Sequence, residues 1–221
     1  MRQLRHNSVT ATLALFSMLA IVTGVPALGQ LSADSWWPKF QRDPQNTGRA
    51  PAIGIATDAH ISAFAQLSPP IPTENHATPV FAPGNSRLYI GGPNSRLSAV
   101  HLDTFTVAWQ LTLGDGTGAI FHTPAIAADG SIFVGAWDNQ APFDGFSKVR
   151  DDGDHATIVW TVPLRRMLAG PTITDDGLVV IGGRHDTLGW GYFAFRDAGE
   201  TAELSWSAAI RANPNDPAST G

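Results

Sequence analysis

From Thr78 onward, apolar residues come in short runs bounded by Gly, Pro, Asn and Asp, and these runs read as strands joined by tight turns. The first group predicts strands over 78–82, 87–91, 96–102 and 106–113. A second group falls at 122–127, 131–136, 145–150 and 157–162, and a third at 170–174, 178–182, 191–196 and 202–208. Pro83-Gly84-Asn85, Asp129-Gly130 and Asp175-Asp176-Gly177 punctuate the first turn of each group.

The groups are copies of one unit. A Pro heads the first run at Pro79, Pro124 and Pro171, with spacings of 45 and 47. A Gly closes the second run at Gly91, Gly135 and Gly182, and a Trp marks the fourth at Trp109, Trp160 and Trp206. Four short strands repeating at this period predict an all-β fold of β-propeller blades, with three blades forming an incomplete ring. Each blade is a sheet that buries its faces only by stacking on neighbours. The repeated Trp is expected between blades, its indole N–H seeking a carbonyl. The repeated Gly is expected to serve a positive φ or a close backbone approach. Phe64 stands 15 residues before Pro79, as Trp109 does before Pro124, so 61–67 reads as the end of a partial unit.

Ahead of the blades lie two further segments. Residues 1–29 read as an export signal: Arg2 and Arg5, an apolar run over 11–22, and small residues at Ala27 and Gly29. The run is shorter than a bilayer span needs, so no membrane span is expected after cleavage. Residues 30–58 form an aromatic leader and linker in which Trp36, Trp37 and Phe40 are expected to pack on the body, with a carbohydrate platform of Trp36 and Trp37 as the alternative. The blades are assigned to 59–208, and the polar, Pro-rich 209–221 reads as a disordered or truncated tail.

Composition narrows the partners. The formal charge is −5, and losing Arg2 and Arg5 with the signal takes it to −7. Neither value suits nucleic acid or an anionic membrane surface. The chain has no Cys, which excludes lipidation at a cleavage-site Cys and any disulfide. A periplasmic or secreted location is expected, with stability drawn from packing.

Ala99, Thr104 and Trp109 stand in register with the Ala-Leu-Asp-x-x-Thr-Gly-x-x-x-Trp repeat, and the segment resembles that of the pyrroloquinoline-quinone-like (PQQ-like, quinoprotein-type) β-propellers. His101 replaces the usual Asp and Phe105 the usual Gly, which implies a non-standard turn. The second and third units share a variant, Arg150-Asp151-Asp152-Gly153 before Trp160 and Arg196-Asp197-Ala198-Gly199 before Trp206. Kelch-type propellers are the competing resemblance, through Ile90-Gly91-Gly92 and Ile181-Gly182-Gly183. The Trp placement suits the quinoprotein type better.

With the innermost strand first, the turns between second and third strands share a face with the links between blades. That face is expected to carry Asn94, Trp137, Asp138, His185, Asp186 and Trp190, with His76, Asp115 and His122 from the links. These residues read first as turn builders and otherwise as a ligand site at the funnel mouth. No contiguous Asp-x-Asp-x-Asp run suggests Ca²⁺, and no close-spaced His pair suggests Zn²⁺, so no metal site is assigned. No nucleophile elbow, P-loop or zinc-protease motif appears. Two carboxylates such as Asp151 and Asp152 would suit acid–base work, but Asp151 recurs as Asp197, which favours a structural role.

The reading is a non-catalytic exported scaffold, without a cofactor, that binds a protein, peptide or envelope component. The alternative is the N-terminal part of a PQQ-dependent oxidoreductase, for which the resemblance implies PQQ, Ca²⁺, a catalytic Asp and an adjacent Cys pair that this sequence lacks.

Overall fold

The computed structural model describes residues 30–35, 38–40, 42–43, 77–137, 145–167 and 169–210. The expected signal, Trp36 and Trp37, the linker, the partial unit at 61–67, His76, Asp138 and the stretch 211–221 lie outside the described residues.

Three consecutive antiparallel four-stranded meanders build the body. Blade one comprises β1 (Val80–Phe81), β2 (Arg87–Gly91), β3 (Arg96–His101) and β4 (Val107–Thr112). Blade two comprises β5 (Ala125–Ile126), β6 (Ile132–Gly135), β7 (Phe146–Asp151) and β8 (Ala156–Val162). A two-residue strand in the next link, β9 (Leu164–Arg165), pairs with β11 (Leu178–His185). Blade three is β10 (Thr172–Ile173), β11, β12 (Gly189–Asp197) and β13 (Ala202–Ala209). The fold is all-β, with blades of β-propeller type and no closed ring among the described residues. The first strands are shorter than the sequence predicts, and β11 and β12 run longer.

Register makes the repeat physical. Directly paired residues share one face of a sheet. Val80, Tyr89, Ala99 and Trp109 form such a row across blade one. The same row is Ala125, Phe133, Lys148 and Trp160 in blade two, and Thr172, Val180, Ala194 and Trp206 in blade three. A bulge follows each row on the fourth strand, after Ala99, Lys148 and Ala194. Each bulge adds local right-handed twist at the same point of its blade.

Two apolar cores result, one between each pair of neighbouring blades. Tyr89, Leu97 and Trp109 pack on Ile126, Ile132, Val134 and Val149 of blade two. Phe133, Phe146 and Trp160 pack on Ile173, Val179, Ile181, Phe193 and Phe195 of blade three. The repeated Gly answers to space rather than to φ at the first two positions. A Cβ on Gly91 would meet the Ile120 side chain at 2.3 Å, and one on Gly135 would meet Met167 Cγ at 2.8 Å.

The leader is held by backbone rather than by Phe40, which is 52% exposed, contrary to expectation. Leu31 bridges Ala127, Ser32 N donates to Ile126 O, and Ile126 N donates to Pro38 O. Ser35 Oγ reaches Phe81 O at 2.7 Å, so the leader crosses the inner edges of blades one and two. Lys39 is the largest side chain buried in its described part, with Nζ donating to Phe40 O at 2.7 Å and Asp43 O at 3.2 Å. Burial pushes its ammonium below the usual lysine range, against an opposing pull from Asp43.

Candidate functional site

Two groups of residues carry the chemistry: a pair of carboxylates between the blades, and the loop face.

Asp151 ends β7 three residues beyond Lys148, which turns its side chain toward blade one. Its carboxylate accepts from Trp109 Nε1 at 2.9 Å, Tyr89 Oη at 2.8 Å and Arg87 Nη1 at 2.8 Å, all on blade one. Gly153 N closes an Asx turn onto it at 2.9 Å, with Gly153 at φ 103°. Burial raises the Asp151 pKa, but the hydrogen bonds from Gly153, Trp109, Tyr89 and Arg87 outweigh it and hold the carboxyl below its usual range. Tyr89 is pushed well above the usual phenol range, by burial first and then by its bond to Asp151.

Asp197 repeats this one blade further on. It ends β12 and accepts from Trp160 Nε1 at 3.1 Å, Lys148 Nζ at 2.6 Å and Gly199 N at 3.1 Å. Lys148 and Asp197 are both buried. The indole N–H therefore meets a side-chain carboxylate of the next blade, not the carbonyl expected from the sequence. The residues that sequence reasoning missed here are Arg87, Tyr89 and Lys148. The signal for the carboxylates was the shared Asp-x-Gly after the third strand of blades two and three.

Asp151 and Asp152 are not arranged as an acid–base pair. Asp152 accepts from Thr157 Oγ1 at 2.6 Å and Arg150 Nε at 2.7 Å, and these bonds keep it below the usual carboxylate range. A general acid at neutral pH needs the opposite shift. Arg87, Tyr89, Asp151, Lys148, Arg150 and Glu200 line a cleft of about 550 Å³ beside the blade-one clamp.

On the loop side, the bridges of the first link are the clearest feature. Pro93 bridges Ala119 and Ala119 bridges Trp137, so the first link ties the turns of blades one and two together. Asn94 and Ser95, at φ 56° and 49°, are the central pair of a two-residue hairpin turn. Asp115 Oδ1 accepts from Thr117 N at 2.9 Å and Thr117 Oγ1 at 2.7 Å. His122 Nε2 donates to Met167 O at 2.9 Å, joining the two links. His185 lies tilted against Phe193, ring centroids 5.7 Å apart, and accepts from Thr187 N at 3.2 Å, while Asp186 pairs with Arg165. These polar side chains serve loop geometry. Trp137, edge-on to Phe121 at 6.3 Å, and Trp190 at the start of β12 remain half-buried, and Leu188 is exposed. No group of three His, Cys, Asp or Glu is placed to hold a metal ion among the described residues. No helix among them is long and apolar enough to cross a membrane.

Comparison with known proteins adds little beyond this geometry. No family model matches the chain. It is 28% identical over 141 residues to Protein Rv3035 of Mycobacterium tuberculosis, which covers 59% of this chain and 31% of that protein. The crystal structure of BamB from Moraxella catarrhalis aligns with 61% of this chain and 37% of that chain, with a TM-score of 0.45 and 19% identity. The chain spans about a third of the length of each of these proteins.

Proposed function

We propose that the protein is an exported, non-catalytic β-propeller scaffold of the PQQ-like repeat type, which binds a protein or envelope component through its loop face. The observation that carries this is the display of Trp137, Leu188 and Trp190 on strand ends and turns of adjacent blades, with the first link bridged to Trp137 through Ala119. Aromatic side chains held on rigid backbone give large contact area at low entropic cost, which suits protein recognition. The neighbouring polar groups are engaged in turn geometry, so the aromatics are the recognition elements. The apolar, Arg-flanked N-terminal stretch supports a periplasmic or secreted location. The register of Ala99, Thr104 and Trp109 supports the repeat type.

The test places a photoreactive residue at position 137 or 190 of the full chain in cells with an intact envelope. A discrete adduct to one envelope protein, absent when the probe sits at Asp103, is the expected result. Dye reduction by the full chain after reconstitution with PQQ and Ca²⁺ would overturn the scaffold reading in favour of the oxidoreductase alternative.

A further inference from the structure

Each blade presents a forward face to its successor, and in blades one and two that face is covered in one way. Its row ends in a Trp whose indole donates to an Asp of the next blade, and a cation on the same face reaches the same carboxylate. Covered in this manner, Trp109 is 5% and Trp160 7% exposed. Blade three builds the same face with no such cover among the described residues. Thr172, Val180, Ala194 and Trp206 form its row, yet Trp206 is 43% exposed and Tyr192, two residues from Ala194 on the same face, is 47% exposed. Arg196, two residues beyond Ala194, puts a guanidinium on this face with its side chain exposed.

We propose that the forward face of blade three docks a further four-stranded blade whose third strand ends in an Asp, with that carboxylate received by Trp206 Nε1 and the Arg196 guanidinium. The proposal concerns a different surface from the loop face and stands independently of it. The partner's chemistry follows from the two covered faces: aliphatic residues such as Ile132, Val149, Val179 and Ile181 lie against the row, and an Asp-x-Gly turn sits at the rim. The cation moves among positions, from Arg87 on the second strand to Lys148 on the third and Arg196 two residues past the row, while the indole stays fixed. A second copy of this chain, adding its own blade one, does not fit. Three residues past the row residue Ala99 stands Leu102, where blades two and three carry Asp151 and Asp197.

The test extends the full chain in register. A second copy of residues 113–210 follows Ala209 directly, because Ala209 and Thr112 each stand three residues past their Trp. The appended Asp151 then falls on Trp206. The exchange rate of the Trp206 indole N–H, assigned by its loss in Trp206→Phe, is expected to slow roughly 10- to 100-fold relative to the parent chain. It should return toward the parent rate when the appended Asp151 is changed to Ala or when Arg196→Gln is introduced. An appended blade that folds while Trp206 exchanges as in the parent would overturn the proposal.

Photo-crosslinking from position 192 of the unmodified full chain in cells keeps the idea testable if the extension does not fold. The expected adduct is a peptide from a strand ending in Asp. A peptide from this chain's own blade one would replace the proposal with self-association, and lipid adducts or none would overturn it.

Discussion

Trp160, on the last strand of blade two, donates its indole N–H to Asp197 of blade three at 3.1 Å. The contact joins residues 37 positions apart and sits beside a buried ion pair, Lys148–Asp197 at 2.6 Å. Removing one member of a buried pair leaves the other uncompensated, which typically costs about 3–5 kcal/mol. Lys148→Met is therefore expected to destabilise by about that much, and Lys148→Met with Asp197→Leu by clearly less than the sum of the singles. Urea unfolding of the four proteins in the cycle measures this, and additive singles would show that the two side chains are not coupled.

Asp151 sets an acid limit on stability. Its carboxyl is held below the usual range in the folded chain, so the unfolded chain binds its proton first as pH falls. Its stabilisation is present above the unfolded carboxylate pKa of about 4 and disappears as pH drops through the lower folded value. The urea midpoint should fall between about pH 5 and pH 2, and Asp151→Asn should flatten that fall while lowering the midpoint at neutral pH. An unchanged acid slope in the variant would place the acid limit elsewhere.

The two close-approach glycines should differ in cost. At Gly91 the added Cβ meets Ile120 Cγ2 at 2.3 Å, Cβ at 2.7 Å and the carbonyl oxygen at 2.8 Å, so the link itself must move. At Gly135 the nearest atoms belong to the flexible Met167 side chain and Ile181 Cδ1. Overpacking typically costs about 1–3 kcal/mol. Gly91→Ala is expected at or above the upper end of that range and Gly135→Ala near the lower end, read from thermal midpoints.

Phe105 keeps the backbone that glycine usually supplies, at φ 55°, with its side chain 37% exposed. The sequence departure at this position suggested a different turn, but the left-handed residue is retained and the strain accepted. Left-handed backbone disfavours a side chain by roughly 1–2 kcal/mol, part of which glycine loses again through chain entropy. Phe105→Gly should therefore stabilise by about 0.5–1 kcal/mol in urea unfolding, and a destabilised variant would mean that the ring makes contacts worth more than the strain.

The blades were legible because their signals are local. Pro79, Gly91 and Trp109 recur at a fixed period, and the alternation around Arg87–Gly91 is that of a strand sharing its faces between two neighbours. Even the recurrence of Asp151 as Asp197 marked a structural carboxylate. Its partners were not legible, since Arg87, Tyr89 and Lys148 occupy different positions in different blades and become equivalent only through cross-strand register. Of the residues expected on the loop face, Trp137 is tied to the first link through Ala119, while His76 and Asp138 lie outside the described residues. The turn-building role read for Asn94, Asp115 and His122 holds, but the particular partners, Thr117 for Asp115 and the Met167 carbonyl for His122, were not legible because they depend on how the links fold.

The clamps also have a direction. Trp109 precedes Asp151 by 42 residues and Trp160 precedes Asp197 by 37, so the group that locks a blade is always synthesised later than the blade itself. At translation rates of about 5–20 residues per second, each finished sheet waits roughly 2–8 s for its acceptor. During that interval its indole and apolar face are open. A chain that folds in order of synthesis would therefore assemble by a forward ratchet, each new blade capturing the one before it with one blade unlocked at a time.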